Sequence, residues 1–457
     1  MNRSLPIAAA VTAALAAGAA YAAGPSVAAI NLIPAKNTIY ISGSSAIKGA
    51  LSTSIINTFC GGAGNTTVIS TTGDKNWLGF ACTPVSGLAT NSGNYLIDFR
   101  FEGGSVTGYL PIANATAGVL QIDGPTLTAT SIAVVGTTEA NGQLDNFTTS
   151  AGGTLTRHPV DLGIGDVEPK AITGNNYPQD YCTTVFGPVN NNGMFSLSPT
   201  GLIVDEVYAL FVNETGGTFT QNPMNLSQQV LGDILSGGIK DWSKVTDING
   251  NAVVNASTPI TVVNREYGSG SRTATDILIV GDNCSSNATN ETIIAQPAKT
   301  RYFSTGDVLA AAGSVAGAIT YATVENAPAT NLTMVNLNGV APTNLNAALG
   351  SYPFWVEAAY INNAATTGAD SLAINNIVAG LQNEATTAAL SDINAIPDVA
   401  AATGGNFNST VHANPVNSGV VPSGGGTATV YINPFTRAAN GKGSTCHTPV
   451  FSATAFP

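Results

Sequence analysis

Arg265, Ser269, Gly270 and Ser271 fall within one run, Arg265-Glu266-Tyr267-Gly268-Ser269-Gly270-Ser271, whose residue types suit the capture of an anion. The guanidinium is a planar fork of donors matched to a tetrahedral oxyanion, and two serine hydroxyls can donate beside it. Glycine lets the backbone come close to a ligand. An apolar run, Ile260 to Val263, reads as a strand just before this segment, and a helix is expected to begin near Arg272. That placement aims N–H groups and the favourable end of a helix dipole at one point. A flexible Gly-Ser linker shares the composition but not the flanking strand, helix and arginine.

A second unit repeats the geometry. Asn37 to Ile41 reads as a strand, Ser42-Gly43-Ser44-Ser45 as a tight loop, and Ala46 to Phe59 as a helix. This arrangement suits an anion at a helix N-terminus, and it equally suits an ordinary strand-to-helix turn with a serine cap. Enzymatic chemistry finds little material. There is no Gly-x-Ser-x-Gly elbow, and the histidines are His158, His412 and His447, so a serine hydrolase with a histidine base is not expected. Cys446-His447 reads as a disulfide cysteine beside a surface histidine, and no metal or cofactor site is expected. The chain is therefore read as a binding protein and not as an enzyme.

The chain that positions these residues has an exported character. Arg3 precedes an apolar run from Ile7 to Ala20 that closes on Ala20-Tyr21-Ala22, the pattern of a secretory signal peptide over residues 1–22. The run is short for a membrane span and lacks a basic stop-transfer cluster, so a periplasmic or secreted product without membrane insertion is expected. No cysteine marks a lipid anchor at the cleavage site. Only 9% of residues are charged while 44% are hydrophobic, which fits a folded chain with Gly, Ala, Thr, Asn and Ser on its surface. Surface-assembled proteins share that composition. The net charge of −12 supplies no basic field for nucleic acid or an anionic membrane. Of Cys60, Cys82, Cys182, Cys284 and Cys446, the first two are expected to pair because they lie near each other in an oxidising compartment.

Helical and strand patterns alternate along the mature chain, which places it in the α/β class with mostly parallel pairing expected. Gly201 to Val212 is apolar enough for a buried strand, with the paired acids Asp205-Glu206 inside it as a cap or hinge. Ser227 to Leu235 and Ala369 to Ala389 carry helical patterns, and Ile396-Pro397-Asp398-Val399 begins a shorter one. Leu110 to Thr156, rich in Thr, Ala and Gly, reads as strands of an embellishment. Beyond Thr403 the chain is rich in Gly, Asn, Pro and Ser, with one strand from Thr427 to Ile432. That tail is either a cap tied down through Cys446 or an element for assembly.

Arg-x-x-Gly-Ser-Gly-Ser after a strand resembles the phosphate-binding loop of the phosphate-binding proteins of bacterial phosphate ABC transporters. Further segments are similar in the same order: Val160-Asp161-Leu162-Gly163-Ile164-Gly165-Asp166, then Val230 to Trp242 with its Gly238-Ile239-Lys240-Asp241-Trp242 turn, then Gly317-Ala318-Ile319-Thr320-Tyr321, then Ser351-Tyr352-Pro353-Phe354. The resemblance implies a two-lobed periplasmic binding protein of type 2, with β-rich insertions at about 48–95 and 110–156 and a C-terminal extension. Lobe one would comprise 24–200 and 320–402, lobe two 201–319, and the tail 403–457. Matched position by position, the ligand contacts implied are Arg265, Ser269, Gly270 and Ser271 from one lobe, with Asp166 as acceptor and Ser105 as hydroxyl donor from the other. The first loop, Ser45, Ala46 and Ile47, would add backbone donors. It departs from the family where a threonine is usual, since Ile47 and Lys48 stand at the threonine and aromatic positions, and Ser44 or Ser45 would have to supply the hydroxyl. The implied ligand is inorganic phosphate, with arsenate as analogue, and the implied partner is a transporter permease. The alternative is a secreted surface or assembly protein that keeps this fold without transport.

Overall fold

The computed structural model describes residues 24–71, 74–113, 118–122, 132–134, 155–172, 197–216, 218–281, 301–302, 304–326, 331–363, 369–382, 395–396, 420–423, 426–429, 435–437 and 444–451. Residues 1–22, where a signal peptide is expected, and Cys182, Cys284 and His412 lie outside them.

Twelve strands form one mixed sheet. In chain order they are β1 (Thr38–Gly43), β2 (Thr66–Thr71), β3 (Asp74–Cys82), β4 (Tyr95–Arg100), β5 (Ile132–Val134), β6 (Leu162–Gly165), β7 (Gly201–Asn213), β8 (Thr261–Val262), β9 (Ala318–Thr323), β10 (Leu332–Met334), β11 (Trp355–Asn362) and β12 (Ala395–Ile396). Their spatial order is β8-β9-β7-β11-β6-β1-β4-β3-β2-β5, with β10 and β12 also paired to β7. Six helices matter for the site: α1 (Lys48–Ser54), α2 (Val106–Ala113), α3 (Gln228–Leu235), α4 (Gly270–Thr275), α5 (Thr305–Gly313) and α6 (Ser371–Gln382).

Strand β7 joins the two parts of the sheet. Its first half, Gly201 to Val207, pairs antiparallel with β11, and its second half, Tyr208 to Val212, pairs antiparallel with β9. Residues 202–213 are all buried, which explains the near-continuous apolar run, because a strand covered on both faces does not alternate. On one side of this junction α1 and α6 bury Leu51, Ile55, Ile377 and Leu381 against Ile39, Ile97 and Phe99. On the other, Leu231, Ile234 and Trp242 pack with Leu210, Val212 and Ile319.

Several expectations are corrected. The pairing is mixed: β1 is parallel to β4 and β6, and β8 to β9, but the strands around β7 and the β2-β3-β4 meander are antiparallel. The inserted residues between β1 and β4 add antiparallel strands at an edge, so crossover helices are not needed there. The first helix starts at Lys48, not Ala46, because Ser44 to Ile47 make a turn, and it ends in a π turn over Ile55–Phe59. The helix after the Gly-Ser loop starts at Gly270, with Ser269 as its cap. Ile396, where a short helix is expected to begin, lies in the strand Ala395–Ile396 on β7, opposite Asp205 and Glu206, and Pro397 to Val399 fall outside the described residues. Leu110 belongs to α2, not to the strand-rich insertion. Asp205 and Glu206 lie in mid-strand, not at a cap.

Cys60 and Cys82 form a disulfide, as expected, which joins the end of the π turn to the end of β3. Cys446 is also disulfide-bonded. The described parts of the tail are docked on the body: Thr436 and the Arg437 N–H donate to Glu357, and the Thr445 N–H and hydroxyl donate to Glu168. Arg437 donates to the carbonyls of Pro353 and His447 and lies over the Trp355 ring at 4.8 Å. The tail thus satisfies buried carboxylates whose desolvation would otherwise be uncompensated. Replacing Arg437 by Met should lower stability by about 3–5 kcal/mol, because it removes the cation from a buried cluster that contains Glu168, Asp205 and Glu357. Urea unfolding measures this, and a change under 1 kcal/mol would show that the tail is not part of the folded body.

Candidate functional site

The site assembles where β1, β6 and the loops before α2 and α4 come together. β1 ends at Gly43, whose φ of 146° and lack of a side chain allow the backbone to pass β6: a Cβ there would lie 1.7 Å from the Ile164 carbonyl oxygen. In the next turn the Ser44 hydroxyl accepts from the Ala46 N–H at 3.0 Å, and Ile47 is buried in the core. The Ser45 hydroxyl is thereby left to face across the site. Gly103 and Gly104, with φ of 80° and 83°, turn the chain so that Ser105 enters the site just before α2. β6 delivers Asp166 beside it, and the Asp166 N–H donates to Ser105 Oγ at 2.9 Å. The serine proton remains available to another acceptor.

From the opposite direction comes the Arg265 to Ser271 segment. Arg265 leaves the short strand Asn264–Arg265, which pairs parallel with Arg301–Tyr302. Its backbone is held by Tyr321, whose hydroxyl accepts from the Arg265 N–H at 3.2 Å, and by Arg272, which donates to the Arg265 carbonyl at 3.2 Å. Arg272 also stacks over the Tyr267 ring at 4.1 Å and lies 3.7 Å from Asp276. Arg272 is therefore a brace of the loop. Ser269 caps α4 by accepting from the Arg272 N–H.

The two sides meet directly. The Val106 N–H donates to the Gly268 carbonyl at 3.0 Å, and a Cβ on Gly104 would lie 2.7 Å from Ser269 Cα. Ser271 Oγ donates to Asp166 Oδ2 at 3.3 Å. Arg265 donates from Nη2 to Ser45 Oγ at 3.2 Å and from Nη1 to Thr305 Oγ1 at 2.9 Å. Ser45, Ser105, Asp166, Arg265, Ser269 and Ser271 are each buried. All the residues singled out from the sequence are thus gathered at one place, except that the Ala46 N–H is engaged by Ser44 and Ile47 points its side chain into the core.

Burial dominates the electrostatics. It pushes the Asp166 carboxyl up to about 6, while the Arg265 charge and the neighbouring polar groups of Tyr208, Ser271 and Glu206 pull it back down. Asp166 Oδ1 meets no N–H or hydroxyl donor among the described residues. An ensemble of one guanidinium, several hydroxyls and one acceptor is suited to an oxyanion that still carries a proton. Among the described residues no group of three or more His, Cys, Asp and Glu side chains is placed to hold a metal ion. No described helix is long and apolar enough to cross a membrane.

Sequence reasoning did not place Thr305, Glu206 or Tyr208 here. Thr305 opens α5, and its signal was only local: the Ser304 hydroxyl caps the helix and bonds Asp307. Nothing in the spacing tells that this hydroxyl reaches Arg265.

Residues 202–380 match the family model of the PBP superfamily domain, a segment that includes Arg265, Ser269, Gly270 and Ser271 but not Ser45, Ser105 or Asp166. The matched segment lies within the mixed α/β sheet, and it contains the Gly-Ser loop from which the resemblance was drawn. Solved structures similar to the chain include a phosphate-bound putative phosphate ABC transporter substrate-binding protein from Clostridium perfringens, at 16% identity over 79% of this chain and 100% of that one, TM-score 0.42. A high-affinity periplasmic phosphate-binding protein, PfluDING, matches at 14% identity over 85% and 96% of the two chains, TM-score 0.42. A phosphate-binding protein from Stenotrophomonas maltophilia matches at 13% identity over 76% and 83%, TM-score 0.40. No curated protein matches the sequence significantly.

The close approach of the two sides has a test that needs no ligand. A Cβ on Gly270 would lie 2.2 Å from Ser105 Oγ and 2.7 Å from Asp166 Oδ2, so Gly270→Ala should cost about 1–3 kcal/mol. Gly306→Ala is the control: it lies in α5 with open space around it and should be neutral or stabilising by up to about 1 kcal/mol. Equal denaturation midpoints for the two variants would show that the loops do not meet this closely.

Proposed function

We propose that this chain is an exported solute-binding protein that holds inorganic phosphate between two lobes and hands it to an ABC transporter for uptake. Residues 24–200 with 320–402 form one lobe in this reading and 201–319 the other, with β7 and β11 at the junction. One observation carries the proposal: Arg265, Ser271 and Ser105, distant in the chain, converge with the carboxylate of Asp166 at a buried point. Donors from both sides would surround a tetrahedral anion, and Asp166 would accept its proton. Ser45, Ala46, Ile47, Ser269 and Gly270 complete the ligand shell, with Thr305 as a hydroxyl in place of the missing threonine of the first loop. The protein works in the periplasm or outside the cell, and arsenate, which has the same shape and keeps a proton, is accepted as an analogue.

Phosphate released from the purified protein by denaturation, and calorimetric titration of the ligand-free protein, test the proposal. Absence of both would favour a surface or assembly protein that keeps the fold alone. Arg265→Ala should weaken phosphate binding at least thirtyfold, the effect of removing one partner of a desolvated charge-assisted contact worth about 2–5 kcal/mol. Unchanged affinity would remove Arg265 from the site.

Selectivity follows from Asp166. Sulfate at neutral pH has no proton to give, so its oxygen would press against an ionised carboxylate, and discrimination of about a hundredfold in favour of phosphate is expected at pH 7.5. Burial raises the Asp166 carboxyl to about 6, so the acid protonates as pH falls through that value and becomes a donor. Sulfate should then compete better below pH 6 than above it. Competition within tenfold of phosphate at pH 7.5 would show that Asp166 does not face the ligand.

A further inference from the structure

Asp166 is one member of a pair. Glu206, in the middle of β7, is fully buried and acts on the Asp166 carboxyl as a neighbour. Its Oε2 accepts from the Tyr208 hydroxyl at 2.8 Å, two residues along on the same strand face. That hydroxyl lies 3.4 Å from Ser271 Oγ, which itself donates to Asp166 Oδ2. Tyr208, Glu206, Asp166 and Ser271 therefore form one buried cluster, in which Tyr208 donates to Glu206 and Ser271 to Asp166.

Two carboxyl groups can hydrogen-bond each other only when one of them carries a proton. The position of the donors decides which. Ser271 donates to Asp166, and the Arg265 charge favours the ionised form of Asp166. We propose that Glu206 keeps its proton at neutral pH and donates it to Asp166, and is thereby the positioning residue that fixes Asp166 as an ionised acceptor for the proton of phosphate. This rests on the phosphate-binding reading above. It also names the determinant of selectivity one step behind the ligand: without the Glu206 proton, the site would face the anion with two negative carboxylates.

The surroundings favour retention of that proton. Glu206 is faced by Asp166 from the end of β6, by Tyr208 on its own strand, and by Tyr109 of α2. Glu168, beyond Asp166, adds its charge at Tyr109. Asp205 neighbours it on β7, and Glu357 lies opposite Asp205 on β11. Two cations are nearby, Arg265 on the ligand side and Arg437 from the tail, the latter beside Glu357, Asp205 and Glu168. Among the described residues carboxyl groups outnumber cations in this buried region, so ionisation of a second member of the pair is disfavoured by desolvation and by repulsion alike.

Glu206→Gln tests the assignment, because the glutamine amide can donate to Asp166 while its carbonyl accepts from Tyr208, with no proton left to lose. Phosphate affinity of both proteins is measured by calorimetry from pH 6 to 9.5. The ratio of the two affinities cancels the ionisation of phosphate itself. The unmodified protein should lose affinity relative to Glu206→Gln by about tenfold per pH unit above the second ionisation of the pair. Infrared difference spectra of the ligand-free proteins should show a protonated-carboxyl band at pH 7 that Glu206→Gln lacks. Superimposable pH profiles with phosphate bound by both proteins, or no difference in the carboxyl band, would overturn the role of Glu206 and leave the phosphate reading standing. If neither protein binds phosphate, the functional reading falls and takes the selectivity role with it, whereas the infrared band still reports whether Glu206 holds the proton.

Discussion

A buried carboxylate, Asp166, faces a buried guanidinium, Arg265, and the cost of taking both out of water shapes everything around them. Each needs partners that are already in place. Ser271 donates to the Asp166 carboxylate with Glu206 beside it, Ser105 accepts from the Asp166 N–H, and Ser45 and Thr305 supply acceptors to Arg265. The glycines at 43, 104 and 270 are where backbones must come closer than a Cβ permits for those partners to reach. The site is thus less a hole lined by polar residues than a knot of short-range polar contacts drawn from loops that meet beside the sheet.

The same constraint recurs on the far side of β7. Asp205, Glu357 and Glu168 are buried too, and the C-terminal segment meets them with Arg437 and with donors from Thr436 and Thr445. Glu168 is two residues from Asp166, so tail and site share one charged region. A segment that reads as an appendage in composition is, in physical terms, the source of the countercharge for that region. Its docking links the integrity of the anion site to residues more than 250 positions away in the chain, as the bond from Thr445 to Glu168 shows.

Strand β7 carries both relations. It pairs with β11 over its first half and with β9 over its second, and its central residues Asp205 and Glu206 point to opposite faces because side chains alternate along a strand. One acid therefore belongs to the tail cluster and the other to the anion site. Moving the register by one residue would exchange them, which makes the pairing of Glu357 with Asp205 a structural requirement of the site.

The sequence by itself determined the anion-suited loop at Arg265 to Ser271, the strand-loop-helix units, the α/β class, the Cys60–Cys82 pair and the residues that gather at the site. These are local signals: a fork of donors, glycines at turns, serine caps and apolar runs are read within a dozen residues. The tertiary structure alone decided the mixed sheet, the burial of Glu206 next to Asp166, the reach of Thr305 to Arg265 and the docking of the tail. Strand direction depends on which segments are inserted between partners, as the antiparallel meander of β2, β3 and β4 shows. Partners such as Glu206 and Thr305 are set by three-dimensional proximity between segments that carry no mark of each other in the chain. A buried acid inside an apolar strand announces that it must be paired, but only the fold names the partner.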